Sequence, residues 1–341
     1  MSMLRRDPTT GRWVVFSEAT PHTRSAGDPC PFCAGHEALT PPEIVAWGRP
    51  SKAPDQSGWK VRVVPNARPM LRIEDPLERH AERMYDWASG TGAHEIVIES
   101  PEHRASLAEL SREQVALALT AWAERVRDLK QDPRIRAIFV FKNQGLLAGA
   151  GVPDHVHSQV IGLPVTPKAL KEILDGARAH YRLKERCVFC DVIRDQLEHG
   201  ERLIHATERF VALAPWASRH PYECWILPRE HGADFETTTP EDLADLAGLL
   251  IRLLGRLEEV LPEPAYNLFL YSGPNRDRRR GYWNTLAADF HWHIQVLPRL
   301  VQVAGFEVGS GFYANPVLPE EAAKMLGTAP QAGEAVSPAS P

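Results

Sequence analysis

Two short runs of the chain pair histidines two residues apart: His155-Val156-His157-Ser158-Gln159 and His291-Trp292-His293-Ile294-Gln295. Two others pair cysteines three apart: Cys30-Pro31-Phe32-Cys33 and Cys187-Val188-Phe189-Cys190. Imidazole nitrogen and thiolate sulfur are the donors of tetrahedral structural zinc, and a CxxC with two histidines completes a set of four. The sets expected are Cys30, Cys33, His103 and His155, and Cys187, Cys190, His231 and His291, giving one or two zinc ions per chain with the first set the better candidate. One CxxC alone is ambiguous with a redox pair, and a lone histidine at a strand end is ordinarily a surface or satisfied core residue. Recurrence of the same four residue types in the same order is what favours metal. Cys224 has no partner at ligand spacing and reads as a small buried hydrophobe.

In a strand, residues i and i+2 share a face, so His155 and His157 stand side by side while Val156 turns to the core. A histidine is mostly neutral at pH 7. If one of its nitrogens donates to a backbone carbonyl, the other is free to attack phosphorus, which makes His157 the expected nucleophile. Upstream, Asn143-Gln144-Gly145-Leu146-Leu147-Ala148-Gly149-Ala150-Gly151 offers an amide and a glycine-rich turn, both suited to anionic oxygens. Gln159, on the face of His157, adds a second amide. The matching loop of the second half, SGPNRDRRRGYWNTLAAD (272–289), lacks the Asn-x-Gly start, so His293 is not expected to act. Its run Arg276-Asp277-Arg278-Arg279-Arg280 reads as a solvated loop.

These residues sit in an internal repeat. HEIVIESPEH (94–103) aligns without a gap on YECWILPREH (222–231). Ser111 then opens an amphipathic helix to about Leu129, and Thr239 another to about Leu257. Each helix precedes a strand, AIFVFKN (137–143) or YNLFLYS (266–272), then a loop and the HxHxQ strand. The expected fold is α+β: two tandem units, each an antiparallel sheet with a packed helix, over residues 1–165 and 166–326, followed by a small-residue, proline-rich tail at 327–341. With 341 residues, 43% hydrophobic and 24% charged, the chain has the balance of a folded globular protein. A net charge of -5 disfavours nucleic acid as a partner, and no stretch has signal-peptide or membrane-span character, so a cytoplasmic protein off the membrane is expected.

The chain resembles the galactose-1-phosphate uridylyltransferases, a duplicated histidine-triad family, in LRRDPTTGRWVV (4–15), CPFCAGHEALTPPE (30–43), WKVRVVPN (59–66), FKNQG (141–145), HVHSQ (155–159), FHWHIQVLPRL (290–300) and AGFEVGSGFYANPVLPEEAA (304–323). The resemblance implies a ping-pong transfer of UMP between UDP-glucose and galactose 1-phosphate through a uridylyl group on His157, in a homodimer whose partner subunit completes the site. It further implies phosphate contacts from Asn143, Gly145 and Gln159, a nucleoside pocket at Asn66, a hexose contact from Glu307, and zinc in both Cys/His sets. This chain departs from the family at Gly151, where a serine or similar donor is usual, at Asp154, which reads as an extra residue, and at Arg68, where an aromatic is usual. Related enzymes phosphorolyse ADP-sugars or dinucleoside polyphosphates, and a non-catalytic nucleotide-binding zinc protein is the alternative of a different class.

Overall fold

The computed structural model describes residues 2–17, 28–50, 53–150, 155–262, 264–276 and 283–327. Gly151, Asp154, the arginines at 278–280 and the tail beyond 327 lie outside the described residues.

In the first half the strands are β1 (Met3–Arg6), β2 (Trp13–Phe16), β3 (Val45–Trp47), β4 (Val61–Pro65), β5 (Arg79–Glu82), β6 (Tyr85–Ser89), β7 (Ala93–Ile98), β8 (Ala137–Gln144) and β9 (His157–Leu163), with helix α1 (Arg112–Leu129) before β8. Helices α2 (Lys168–Lys184) and α3 (Val188–His199) lead into the second half. There β10 (Leu203–Ala206), β11 (Phe210–Leu213) and β12 (Cys224–Pro228) precede α4 (Pro240–Val260) and β13 (Tyr266–Tyr271). After them come α5 (Leu286–Asp289), β14 (His293–Pro298), α6 (Gly305–Ser310) and α7 (Pro319–Leu326).

The fold is the α+β arrangement expected, built on one ten-stranded sheet of order β10-β11-β12-β14-β13-β8-β9-β7-β4-β3. Five strands come from each side of residue 165, and the two sets join where β8 pairs antiparallel with β13, Phe141 opposite Phe269. A separate four-stranded sheet, β2-β1-β6-β5, stands apart.

Helices α1 and α4 begin where their sequence provides a cap. The Ser111 hydroxyl accepts from the Gln114 N–H and that of Thr239 from the Asp242 N–H, each worth about 1 kcal/mol. Behind each cap runs an apolar stripe at helical spacing: Val115, Leu119, Trp122, Val126 and Leu129 on α1, and Leu243, Leu246, Leu250, Leu254 and Leu257 on α4. These stripes pack on each other and on one face of the sheet, where Val63, Val97, Val140, Val160, Leu268, Ile294 and Val296 meet them. Full burial of such a side chain contributes roughly 1.5–3 kcal/mol. Since the helices occupy this face, residues of opposite parity along the strands turn to the other face. Phe32, Trp59, Val64, Ile96 and Ile98 cluster on it, and the functional side chains lie there too. Among the described residues no helix is long and apolar enough to cross a membrane.

The histidines flank their strands instead of ending or filling them. β7 stops at Ile98, so His103 lies in the turn after Pro101, and β12 stops at Pro228, ahead of His231. His155 and His291 likewise precede β9 and β14, which begin at His157 and His293. Val156 is buried in the core against the helices, as the alternation predicts.

Candidate active site and metal centres

The first Cys/His set converges. Cys30 Sγ lies 3.5 Å from His155 Nδ1, and Cys33 Sγ lies 3.4 Å from His103 Nδ1 and 3.7 Å from His155 Nδ1. The second set repeats it, with Cys190 Sγ 3.3 Å from His231 Nδ1 and 3.7 Å from His291 Nδ1. In each set all four donor atoms lie within 4.8 Å of one another, so either could hold a metal ion. Three of these histidines turn Nδ1 to the cluster while Nε2 donates to a backbone carbonyl: His155 to Ser100 at 3.0 Å, His231 to Ala287 at 2.9 Å and His291 to Pro228 at 2.9 Å. That outer bond fixes tautomer and ring orientation, as is usual for metal-binding histidines. The Cys190 thiol is brought down to about 7 chiefly by a hydrogen bond from Cys187, so a thiolate is accessible near neutral pH.

The two CxxC motifs reach this geometry from different local structures. Cys30 and Cys33 flank a turn at Pro31 and Phe32, whereas Cys187 is the N-cap of α3 and Cys190 lies in its first turn. The phenylalanine inside each motif wedges against the histidine pair. Phe32 is 5.7 Å from the His155 ring and 5.2 Å from His157, and Phe189 is 6.2 Å from His291 and 5.0 Å from His293, centroid to centroid. Sequence reasoning passed over both, although Phe is common to the two motifs.

His157 opens β9 with Nδ1 donating to the His155 carbonyl at 2.8 Å. Its Nε2 has no hydrogen-bond partner among the described residues, so the lone pair on that side is uncommitted. Burial, reinforced by the nearby Lys142 ammonium, pushes His157 down to about 4, keeping the imidazole neutral at physiological pH. The strand is pinned from the helix side. Lys142 Nζ donates to the His157 carbonyl at 2.8 Å and pairs with Glu99 at 2.6 Å, and Trp122 Nε1 donates to Ser158 Oγ at 2.7 Å. Burial lowers the Lys142 pKa despite the pairing.

Gln159, two residues on, shares the face of His157, and both it and Asn66 approach His94, a residue the sequence did not single out. Gln159 Oε1 lies 2.8 Å from His94 Nε2, and Asn66 Nδ2 lies 3.0 Å from the same nitrogen. The turn after β8 is shaped by glycine. Gly145 has φ 76°, and a Cβ there would stand 3.0 Å from that of Ala265. Asn143 braces this turn, its Oδ1 accepting from Asn267 at 2.9 Å and its Nδ2 donating to the Gly149 carbonyl at 3.4 Å. The N–H groups of Ala148, Gly149 and Ala150 close the turn on itself. Glu307 lies apart, its carboxylate accepting from the Ala304 N–H at 3.0 Å to cap its own helix α6. Arg276 is held in an ion pair with Asp234.

The second half repeats the frame around a closed histidine. His293 Nδ1 donates to the His291 carbonyl at 3.0 Å, and burial pushes His293 to about 4 as well. Its Nε2, however, is taken by Gln295 Nε2 at 3.1 Å, and the rings of Phe189, Tyr271 and Trp225 stand at 5.0, 5.2 and 5.4 Å.

A metal-ready Cys/His cluster beside a neutral histidine with one free nitrogen suits nucleophilic attack on phosphorus. The family model for the N-terminal domain of galactose-1-phosphate uridyl transferase matches residues 64–167. An Arabidopsis thaliana protein named ADP-glucose phosphorylase is 34% identical, over 95% of this chain and 92% of its own length. The Thermotoga maritima galactose-1-phosphate uridylyltransferase is 27% identical, over 96% of this chain and 98% of its own. A solved Arabidopsis thaliana ADP-glucose phosphorylase with bound ADP-glucose superposes with a TM-score of 0.75 at 33% identity, covering 96% of this chain and 98% of that one. A uridylyltransferase structure gives 0.79 at 27%, with 96% and 97% covered.

Proposed function

Because the chain belongs to the galactose-1-phosphate uridylyltransferase family, we propose that it moves a nucleotidyl group from a nucleoside diphosphate hexose to a phosphate-bearing acceptor through a covalent adduct on His157. The observation carrying this reading is the uncommitted Nε2 of a buried, neutral His157 whose Nδ1 is held by the His155 carbonyl.

In the first step Nε2 attacks the α-phosphorus, the N–P bond forms, and the phosphoanhydride P–O bond breaks to release hexose 1-phosphate. The ring becomes cationic, and the Nδ1–H bond to the His155 carbonyl spreads that charge while the attached phosphoryl oxygens offset it. In the second step a phosphate oxygen of the acceptor attacks the same phosphorus, the N–P bond breaks, and neutral imidazole returns. Gln159 stabilises the phosphoryl oxygens in both steps, and the turn braced by Asn143 and Gly145 confines them. Asn66 lies on the nucleoside side.

The donor favoured is ADP-glucose with inorganic phosphate as acceptor, on the similarity to the Arabidopsis protein across nearly the whole chain. Arg68, two residues after Asn66, fits a nucleoside pocket that differs from the uridine-binding pattern. UDP-glucose with galactose 1-phosphate is the second reading, favoured by the similarity to the Thermotoga enzyme. Both Cys/His sets fit zinc, since ligand atoms around a tetrahedral zinc stand roughly 3.5–3.8 Å apart, close to the separations here. Zinc would serve as a structural clamp, with the Cys30 set fixing His155 and through it His157. Phe306, Val308 and Phe312 are exposed together near Glu307, which favours a homodimer in which Glu307 reaches the hexose of the partner's site.

Incubation of the protein with ADP-glucose, UDP-glucose and diadenosine tetraphosphate, followed by intact-mass measurement, tests the proposal. An added AMP mass with ADP-glucose, removed by phosphate, is the expected result. An added UMP mass removed only by galactose 1-phosphate would favour the second reading, and no adduct with any donor would reject the chemistry.

A further inference from the structure

We propose that His94 is a positioning residue of this centre: it holds Gln159 by its amide oxygen, so that the amide nitrogen is presented to the phosphoryl group on His157. The inference rests on the nucleotidyl-transfer reading above and adds the residue that selects which end of the Gln159 amide acts.

A carboxamide has a donor end and an acceptor end, related by a half-turn of its terminal torsion. Against an anionic phosphoryl oxygen the NH2 end stabilises and the carbonyl end repels, so an unguided glutamine would spend part of its time in the opposing orientation. The structure supplies the guide. Met70 N–H donates to His94 Nδ1 at 3.2 Å, which occupies the lone pair of that nitrogen. A neutral imidazole accepting at Nδ1 carries its proton on Nε2, and His94 is kept neutral by burial. The Nε2–H therefore donates to Gln159 Oε1 at 2.8 Å, and a flipped amide would leave that hydrogen facing donors alone, since its other neighbour, Asn66 Nδ2 at 3.0 Å, is also a donor. The NH2 group of Gln159 is left with no hydrogen-bond partner among the described residues, on the sheet face of His157. Asn66 Oδ1 meanwhile accepts from the Arg68 N–H at 2.9 Å, which fixes that amide too. Its nitrogen, 3.0 Å from the Nε2 that bears hydrogen, must turn its own hydrogens away from that N–H.

The other half arrives at the same solution with different parts. Gln295 Oε1 accepts from Arg219 at 2.8 Å, and its nitrogen turns to His293. The residue aligned with His94 is Tyr222, so the donor role there is filled by an arginine three residues upstream. Holding the glutamine by its oxygen is thus common to both halves, while the residue that does so is not.

The test compares single-turnover formation of the His157 adduct from ADP-glucose and from UDP-glucose in wild type, His94→Leu, His94→Gln, Gln159→Ala and the His94→Leu/Gln159→Ala double variant. Loss of one positioned donor slows such steps by about 10²–10³-fold, and misorientation should cost part of that, roughly 10–100-fold at saturating donor in His94→Leu. Donor affinity should change by less than about threefold, because only the reacting end is disturbed. His94→Gln, whose own NH2 reaches toward the Nε2 position, should recover much of the rate. In the Gln159→Ala background His94→Leu should slow the reaction no further. An undiminished penalty in that background, equal losses in the Leu and Gln variants, or a loss confined to donor affinity would each overturn the proposal. A wild-type protein that forms no adduct would reject the underlying reading. A wild-type adduct with His94→Leu at full rate would remove His94 alone.

Discussion

His157 and His293 occupy equivalent places in the two halves and share almost everything except access. Each opens an HxHxQ strand, donates Nδ1 to the carbonyl two residues back, abuts the phenylalanine of a CxxC, and is pushed by burial to about 4. Yet His157 is 7% exposed with Nε2 uncommitted among the described residues, whereas His293 is 0% exposed, ringed by aromatics, with Nε2 occupied by Gln295. A neutral imidazole is therefore a product of the common scaffold, and nucleophilic competence depends on what lies beyond Nε2.

The largest effect that sharpens this contrast belongs to His157, the proposed nucleophile. His157→Gly should reduce transfer by roughly three orders of magnitude or more while leaving the Cys30 set and the fold intact. Steady-state assay, metal analysis and circular dichroism on one preparation check this. Next comes the metal. Two ions per chain are expected, and structural zinc sites supply about 10–16 kcal/mol of apparent binding energy, so Cys30→Ser should lose one ion, much stability and all adduct formation. Cys187→Ser should lose the other ion and stability, but the protein that remains folded should still form adduct. Equal activity loss per folded molecule would break the contrast.

A smaller effect is expected beneath the active strand. Lys142 is buried against Glu99 while holding the His157 carbonyl, and Glu99 Oε1 has no further partner among the described residues. Lys142→Met leaves an uncompensated buried carboxylate and should cost about 3–5 kcal/mol in denaturant unfolding, with much of it restored by adding Glu99→Leu. Smallest is the effect of His293→Gly on chemistry. It opens a cavity in the aromatic cage and lowers the melting temperature, but adduct formation per folded molecule should stay within about threefold of wild type.

Much of this was legible in the sequence because it recurs there. The repeat exposed both Cys/His clusters, both capped helices and the equivalent strands β8 and β13, and the missing Asn-x-Gly marked the second half as different. The joining of the halves was not legible. β8 pairs with β13 across more than a hundred residues, and the hydrophobic pattern does not say which strand edge meets which. His94 was hidden because all six residues of β7 are buried, so no alternation shows which face it takes. The Lys142–Glu99 pair was hidden for a related reason: two charges on the helix-facing side contradict the pattern that locates a core, and only their 2.6 Å contact explains them. The seal on His293 comes from Phe189, Tyr271 and Trp225, drawn from three separate elements and assembled only by folding.

The most direct test of the central claim is peptide mapping of wild-type protein after brief reaction with ADP-glucose or UDP-glucose, using fragmentation that preserves the acid-labile N–P bond. One nucleotidyl group per chain is expected, on His157, with the His293 peptide unmodified. A nucleotidyl group on His293, or one divided between the two histidines, would contradict it.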